Sequence, residues 1–155
     1  MITAVDVANT IVLKAQNEGA SLSHTKLQKL TYMVYACYFA KTGVQLFSDR
    51  FEKLEKGPVS PSVYVAFYNR LGEKHIRRPA SQGEGGIRVL ESKGILGECL
   101  DLVWNRFGGK STDELVNKTH ETGSAWKKCE FDGNLLNDED IKSDGERWFL
   151  DDCQK

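Results

Sequence analysis

The segment from His24 to Thr42 restricts the possible folds more than any other part of the chain. Its sequence, HTKLQKLTYMVYACYFAKT, is apolar on nearly every face after Leu30, and a helix that is apolar all round must be buried. Ser23 is a suitable N-cap for this helix and Gly43 a suitable stop. We therefore predict a long central helix around which the rest of the chain packs. Its N-terminal part stays polar through Lys26, Gln28 and Lys29.

Capping signals and helical periodicity predict further helices around this centre. Together with the central helix they give about six helices in a mainly α, single compact domain covering residues 1–155. Val44, Leu46 and Phe51 fit a small β-hairpin around a connection at 48–50, and 73–92 is a long Gly-rich, charged loop with a weak strand at 87–90. The predicted helices besides 24–42 are Ala4–Glu18, Pro61–Leu71, Lys93–Phe107, Thr112–Lys118 and an acidic C-terminal helix over 138–150.

The charge is nearly balanced overall but unevenly distributed. The 155 residues hold 21 basic and 22 acidic side chains, a net charge of −1, which argues against nucleic acid as the main partner. Residues 1–78 carry 11 basic and 6 acidic side chains, a net of +5, and the second half is acidic. Such a bipolar chain suits a charged protein partner. No stretch is long and apolar enough for a membrane span or a signal peptide, so we expect a cytoplasmic protein.

The residues that usually carry chemistry are scattered. The cysteines Cys37, Cys99, Cys129 and Cys153 form no C-x-x-C pair, and three isolated histidines add no ligand pattern, so we predict no metal and no cofactor. His120, with Asp113, Glu121 and Ser124 nearby, is the best catalytic candidate, but those spacings match no nucleophile–base arrangement. We predict that the chain is not an enzyme.

One basic cluster leaves a nucleic-acid function open. Lys74, Arg77, Arg78 and Arg88 in and beside the long loop, with Tyr68, could follow a phosphate backbone. No segment reads as a recognition helix.

Several short motifs, taken in order, resemble the Panacea-domain family, the SocA-like antitoxins. The string KLQKLTY at Lys26–Tyr32 resembles the LQKLLY helix of that family. The order continues over Gly43–Phe47, Phe51 with Gly57-Pro58-Val59 and Tyr64, Thr119-His120 with Trp126, and Ile141 with Trp148-Phe149. Leu54 and Ala125 depart from the pattern, since the family usually has Trp and Pro there.

The resemblance implies an antitoxin, often encoded beside its toxin on a prophage or mobile element, that neutralises a cognate toxin by direct binding. The SocA type also implies a protease adaptor, with a cytoplasmic AAA+ protease as a second partner. A homo-oligomer remains open, and the alternative function is a DNA-binding regulator of a prophage or mobile element. The residues expected to bind the partner are Lys26, Gln28, Lys29, Tyr32, Lys56, Gly57, Pro58, Val59, Tyr64, Thr119, His120 and Trp126.

These residues are expected to converge on one surface formed by the central helix, the 56–64 turn and the 119–126 segment. Charge reversal at Lys29 together with Lys56 should then weaken toxin binding and leave the fold intact. Truncating Trp126 or Tyr64 to Ala should cost about 3–5 kcal/mol if the side chain is buried.

Overall fold

A computed structural model describes residues 1–150 and places the two predicted N-terminal helices where the capping signals put them. Helix α1 spans Ala4–Glu18 and helix α2 spans His24–Thr42. The Thr3 hydroxyl accepts the Asp6 N–H, and the Asp6 carboxylate accepts the Thr3 N–H in return, which completes a capping box. Ser23 caps α2 through the Lys26 N–H, and Gly43 ends it with a φ of 73°.

Helix α2 lies at the centre, as its composition predicts, and α1, α4, α5 and α7 pack around it. The other helices are α3 (Pro61–Ala66), α4 (Gly94–Phe107), α5 (Thr112–Thr119), α6 (Ala125–Lys128) and α7 (Asp138–Gly145). Helices α7 and α2 pack closely at Gly145, where a Cβ would lie 2.0 Å from the Ala36 carbonyl oxygen. The fold is therefore mainly α, with the core on both sides of α2.

The predicted hairpin exists, but the strands lie further along the chain. Strand β1 (Glu52–Leu54) pairs antiparallel with β2 (Gly57–Val59), and residues 44–50 form no strand. Leu46 and Phe47 are consecutive and both buried, which an alternating strand does not allow. The second side of β1 pairs with the segment before α7, where the Lys53 N–H donates to the Asn134 carbonyl at 2.9 Å.

Two predicted helices end earlier than expected. Helix α3 stops at Ala66 and a 3₁₀ turn follows at Tyr68–Arg70, so Leu71 is 40% exposed instead of inward-facing. The C-terminal helix ends at Gly145 and a π-helical turn continues over Glu146–Leu150. Val63 and Phe67, which helical spacing places on the same face, are both buried.

The long loop at 73–92 contains no strand and only a short 3₁₀ turn at Gly83–Gly85. Buried polar side chains of α1 hold it in place. The Asn9 side chain donates to the Ala80 carbonyl at 2.9 Å and accepts the Ala80 N–H at 2.8 Å. The Asp6 carboxylate accepts a hydrogen bond from Gln82 at 2.8 Å. Length and composition alone suggested a loose loop, and these long-range bonds are the reason why it is anchored.

The described cysteines are Cys37, Cys99 and Cys129. Cys37 is buried, and so is Cys99 beside it, between α2 and α4. Within residues 1–150 no three His, Cys, Asp or Glu side chains cluster in a way that could hold a metal ion. Cys153 lies outside the described residues. No helix in the described range has the length and apolarity needed to cross a membrane.

Candidate functional site

Lys29 of α2 is the central residue of the motif cluster. Its ammonium donates to the Pro58 carbonyl at 2.6 Å, and the side chain is fully buried. No carboxylate among residues 1–150 forms an ion pair with it. Burial without a counter-charge lowers the pKa of Lys29 from 10.5 to about 7. The hairpin is thus attached to α2 by an amine that is half neutral near pH 7.

Gln28 adds a second link between α2 and the chain after the hairpin. Its amide nitrogen donates to the Ser60 carbonyl at 3.1 Å, and its amide oxygen accepts the Ser60 N–H at 2.9 Å. Ser60 in turn caps α3 through the Val63 N–H at 3.3 Å. One buried amide therefore fixes where α3 begins.

Gly57 allows α2, α5 and the hairpin to meet. Its φ is 119°, and a Cβ at this position would lie 2.7 Å from the Thr119 hydroxyl and 2.8 Å from Cε of Lys29. Any larger residue would strain the backbone and clash with both neighbours. Gly57, Pro58 and Thr119 are accordingly buried.

Trp126 closes the other side of the hairpin. Its indole N–H donates to the Leu54 carbonyl at 2.6 Å, its ring stacks on His120 with centroids 3.6 Å apart, and the Lys53 ammonium lies 4.3 Å from the ring centre. The indole is half-buried. The acceptor of the indole N–H is the backbone carbonyl of Leu54, the position at which the family usually has Trp.

Two histidines lie near Lys29: His24 at the start of α2 and His120 at the end of α5. Nε2 of His24 on α2 and Nε2 of His120 at the end of α5 are both buried without a hydrogen-bond partner in residues 1–150. Burial, with a further contribution from the Lys29 charge, lowers the pKa of each imidazole. Neither Nε2 hydrogen-bonds to a hydroxyl or thiol among residues 1–150, as the base of a nucleophile–base pair would.

Lys26 and Tyr32 belong to other parts of the core. The Lys26 ammonium donates to the Gly108 carbonyl at 2.7 Å, where α4 ends. The Tyr32 hydroxyl donates to the buried Asp144 carboxylate at 2.7 Å, on α7. These two residues thus fasten α2 to its neighbours and do not line the hairpin.

Most of the motif residues meet at the hairpin, largely in the interior, whereas Lys26 and Tyr32 lie apart from them. Lys29 is buried, so reversing its charge would disrupt the core, and the expectation that the fold would survive is wrong. Tyr64 is 38% exposed, so its truncation lacks the burial on which the larger energetic cost depended. Of the expected partner-binding residues, Lys56 and Tyr64 are exposed, and Val59, His120 and Trp126 are partly exposed.

A cleft of about 290 Å³ opens from this cluster to the surface. Tyr64 and Leu71 form one wall of the cleft and continue into exposed apolar residues of α3 and the turn after it, which we call the α3 patch. The α3 patch consists of Tyr64 (38% exposed), Val65 (73%), Tyr68 (60%) and Leu71 (40%). The lining of the cleft is His24, Thr25, Gln28, Lys29, Leu54, Glu55, Lys56, Val59, Tyr64 and Leu71.

Val65, Tyr68 and Leu71 of the α3 patch, and His24, were missed as partner-binding residues in the sequence, whereas Tyr64 was among those expected. Leu71 looks like a core position of a helix that continues to Leu71, and only the early end of α3 turns it outward, whereas Val65 lies on the outer face of α3. His24 is the first residue of α2 and looks like a surface position. The one available signal was the pair Tyr64 and Tyr68, because tyrosine at i, i+4 often marks a face with one wet edge.

The basic cluster is divided between two places. Lys74, Arg77 and Arg78 are exposed on the chain that follows α3. Arg88 lies 3.5 Å from the buried Asp6 carboxylate and donates to the Met1 carbonyl, so it anchors the loop to α1.

Comparison with known proteins agrees with the motif order. The family model described as "Antitoxin SocA-like, Panacea domain" matches residues 27–127. Antitoxin SocA of Caulobacter vibrioides (strain NA1000 / CB15N) is 29% identical over 130 residues, which are 81% of this chain and 69% of that protein. No solved structure shows significant similarity. The chain therefore belongs to the SocA-like antitoxin family, whose shared unit is the Panacea domain.

Proposed function

We propose that this protein is an antitoxin that neutralises a cognate protein toxin by direct binding, with the α3 patch and the adjoining cleft as the docking surface. Membership of the antitoxin family supports the general role. The observation that carries the surface is the α3 patch: four large apolar side chains exposed on α3 and the turn after it, among them the Tyr64 and Tyr68 rings with centroids 5.7 Å apart. Aromatic residues of this kind are the usual anchors of protein interfaces.

The charged side chains around the α3 patch indicate the chemistry of the toxin surface that would bind it. Lys56 lies on the rim of the cleft, and Lys74, Arg77 and Arg78 follow the α3 patch along the chain. Glu55 and Glu73 are the acidic residues of the same stretch, so the region is net basic. The matching toxin surface has apolar side chains bordered by carboxylates.

Growth rescue tests the proposal. The adjacent open reading frame is co-expressed with the wild-type chain and with a variant carrying Val65→Asp and Tyr68→Asp. Both side chains are largely exposed, so the variant should fold, lose toxin capture in a pull-down and fail to rescue growth. Phe131→Asp, at an exposed apolar residue outside the α3 patch, is the matched control. Full rescue by the double variant would show that the toxin binds elsewhere.

The SocA-type adaptor role is a further part of the proposal. A binder that only blocks its toxin leaves the toxin level unchanged, whereas an adaptor for a cytoplasmic AAA+ protease shortens the toxin half-life. A chase of toxin abundance with and without this chain distinguishes the two modes. Sedimentation of the purified chain would show whether it forms a homo-oligomer.

DNA binding by a regulator is the second candidate, because Lys74, Arg77 and Arg78 are exposed and form no ion pair within residues 1–150. Phosphate contacts make affinity fall steeply as salt rises. Binding to the upstream operator that disappears in a Lys74→Gln, Arg77→Gln variant would support this function. Toxin capture that persists at high salt would favour the first.

A further inference from the structure

The cleft beside the α3 patch has an unusual floor. Lys29 and His24 line it, and Lys29 is fully buried while His24 is 6% exposed. A lysine ammonium has three N–H donors, and among residues 1–150 the Lys29 ammonium has one acceptor, the Pro58 carbonyl. Nε2 of His24 has no partner within the described residues. The floor therefore has spare hydrogen-bonding groups of one kind, donors or potential donors.

The charges around the floor are unbalanced as well. No carboxylate among residues 1–150 pairs with Lys29, and a buried charge is costly unless it is paired and hydrogen-bonded. His24 and Thr25 are the first two residues of the 19-residue α2, at the positive end of its dipole. At the rim, Lys56 adds a positive charge and Glu55 a negative one.

The walls restrict what could enter. Leu54, Val59, Tyr64 and Leu71 are apolar and surround the polar floor. One buried amine matches one negative charge, and the Glu55 carboxylate at the rim opposes a dianion. A monoanion attached to an apolar segment fits both the floor and the walls.

We infer that this cleft is a carboxylate-binding site that takes an acidic side chain or the C-terminal carboxylate of a bound protein, with Lys29 and His24 as donors that become accessible when the ligand displaces the cleft side chains covering them. The inference deepens the proposed function and rests on it for the identity of the partner. The α3 patch would hold the apolar residues on either side of the carboxylate. The site then supplies a specific contact in the middle of an otherwise apolar surface.

Short peptides test the site without the toxin. The probes are Ac-Gly-Phe-Glu-Leu-Gly-NH₂, its Gln counterpart, the Gln peptide with a free C-terminus, and inorganic phosphate. Each is titrated into the full ¹⁵N-labelled chain at pH 6.5, and amide shifts of 24–29 and 54–59 are followed by NMR. We expect saturable shifts with the Glu peptide and binding about tenfold weaker with the amidated Gln peptide. The free C-terminus arm shows which carboxylate source is preferred.

Variants assign the effect to the floor. Lys29→Met should abolish the preference for Glu over Gln. Lys26→Met is the matched control, since Lys26 is also buried on α2 and also donates to a carbonyl, but does not line the cleft. Lys56 is exposed at the rim, so Lys56→Glu should fold even if Lys29→Met does not. Because it replaces a positive charge by a negative one, it should weaken binding of the Glu peptide several-fold.

Three results would overturn the inference: equal binding of the Glu and amidated Gln peptides, tighter binding of phosphate than of either carboxylate, or unchanged binding to Lys56→Glu. Growth rescue is scored separately. A wild-type chain that rescues growth but shows no Glu preference refutes the carboxylate site and leaves the antitoxin proposal standing. A Glu preference without rescue refutes the antitoxin proposal alone.

Discussion

Lys29 gives a pH dependence of stability that can be worked out from the structure. Its pKa is lowered by burial from 10.5 to about 7 in the folded chain, whereas in the unfolded chain it returns to its ordinary value. Between these two values the unfolded chain binds more protons than the folded chain. The free energy of unfolding therefore rises with pH across this window, and the destabilisation is complete below pH 7, where both forms are charged.

The size of the effect follows from the two pKa values. The maximum slope is about 1.4 kcal/mol per pH unit, and integration from pH 7 to pH 9 gives a gain of about 2 kcal/mol. His24 and His120 have lowered pKa values, so both are neutral throughout this range. Lys29→Met removes the titrating group and keeps a similar shape.

The assay is guanidinium unfolding of the wild type and Lys29→Met at four pH values from 7 to 9. The stability difference, wild type minus variant, should grow by about 2 kcal/mol over that range. Lys26→Met is the control, because burial also lowers the pKa of Lys26, but by less, and its difference should grow less steeply. A difference that stays flat, or one that shrinks as pH rises, would refute a buried, unpaired lysine at this position.

Three further substitutions test the packing. In a thermal melt, Gly145→Ala should lower the free energy of unfolding by about 3 kcal/mol or more, because its Cβ would meet the Ala36 carbonyl at 2.0 Å. Gly109 has open space around it, so Gly109→Ala is the control and should leave the melt unchanged. Trp126→Phe keeps an aromatic ring on His120 but loses the hydrogen bond to the Leu54 carbonyl. Chemical unfolding should show a free energy of unfolding lower by about 1 kcal/mol. An unchanged unfolding midpoint would show that this hydrogen bond does not stabilise the fold. Asn9→Ala leaves both Ala80 backbone groups unpaired and should cost about 2 kcal/mol, with new protease cuts in 73–92 as the readout; a loop that stays resistant would show that Asn9 does not anchor it.

The helices that could be predicted well are those with local signals at both ends. Thr3 and Gly19 bound α1, and Ser23 and Gly43 bound α2, and each signal acts within one turn of its helix. The three-residue strands carry too little alternation to be placed, and their position depends on the distant segment around Asn134. The end of α3 at Ala66 has no Gly or Pro to mark it.

The motif residues of the candidate site could be predicted from the sequence, but which of them are buried and which are exposed could not. Lys26, Gln28 and Lys29 read as a polar start of the central helix, yet all three are buried because their partners are backbone groups far along the chain. Nothing local in a sequence shows that a lysine will meet a carbonyl such as that of Pro58. Leu71 of the α3 patch looked like core because nothing in the sequence marks the end of α3 before it.

The hydrogen bonds that hold the hairpin and α3 to α2 involve Gln28, Lys29 and Ser60, and the side chains of Val65, Tyr68 and Leu71 take no part in them. Fold specification and surface identity are thus encoded at separate positions. With the proposed docking role of the α3 patch, positions 65, 68 and 71 could be randomised while the buried frame is left untouched, and selection for growth would then recover variants redirected to other toxins. In this respect the scaffold resembles an antibody framework, with one short helix in the place of the hypervariable loops.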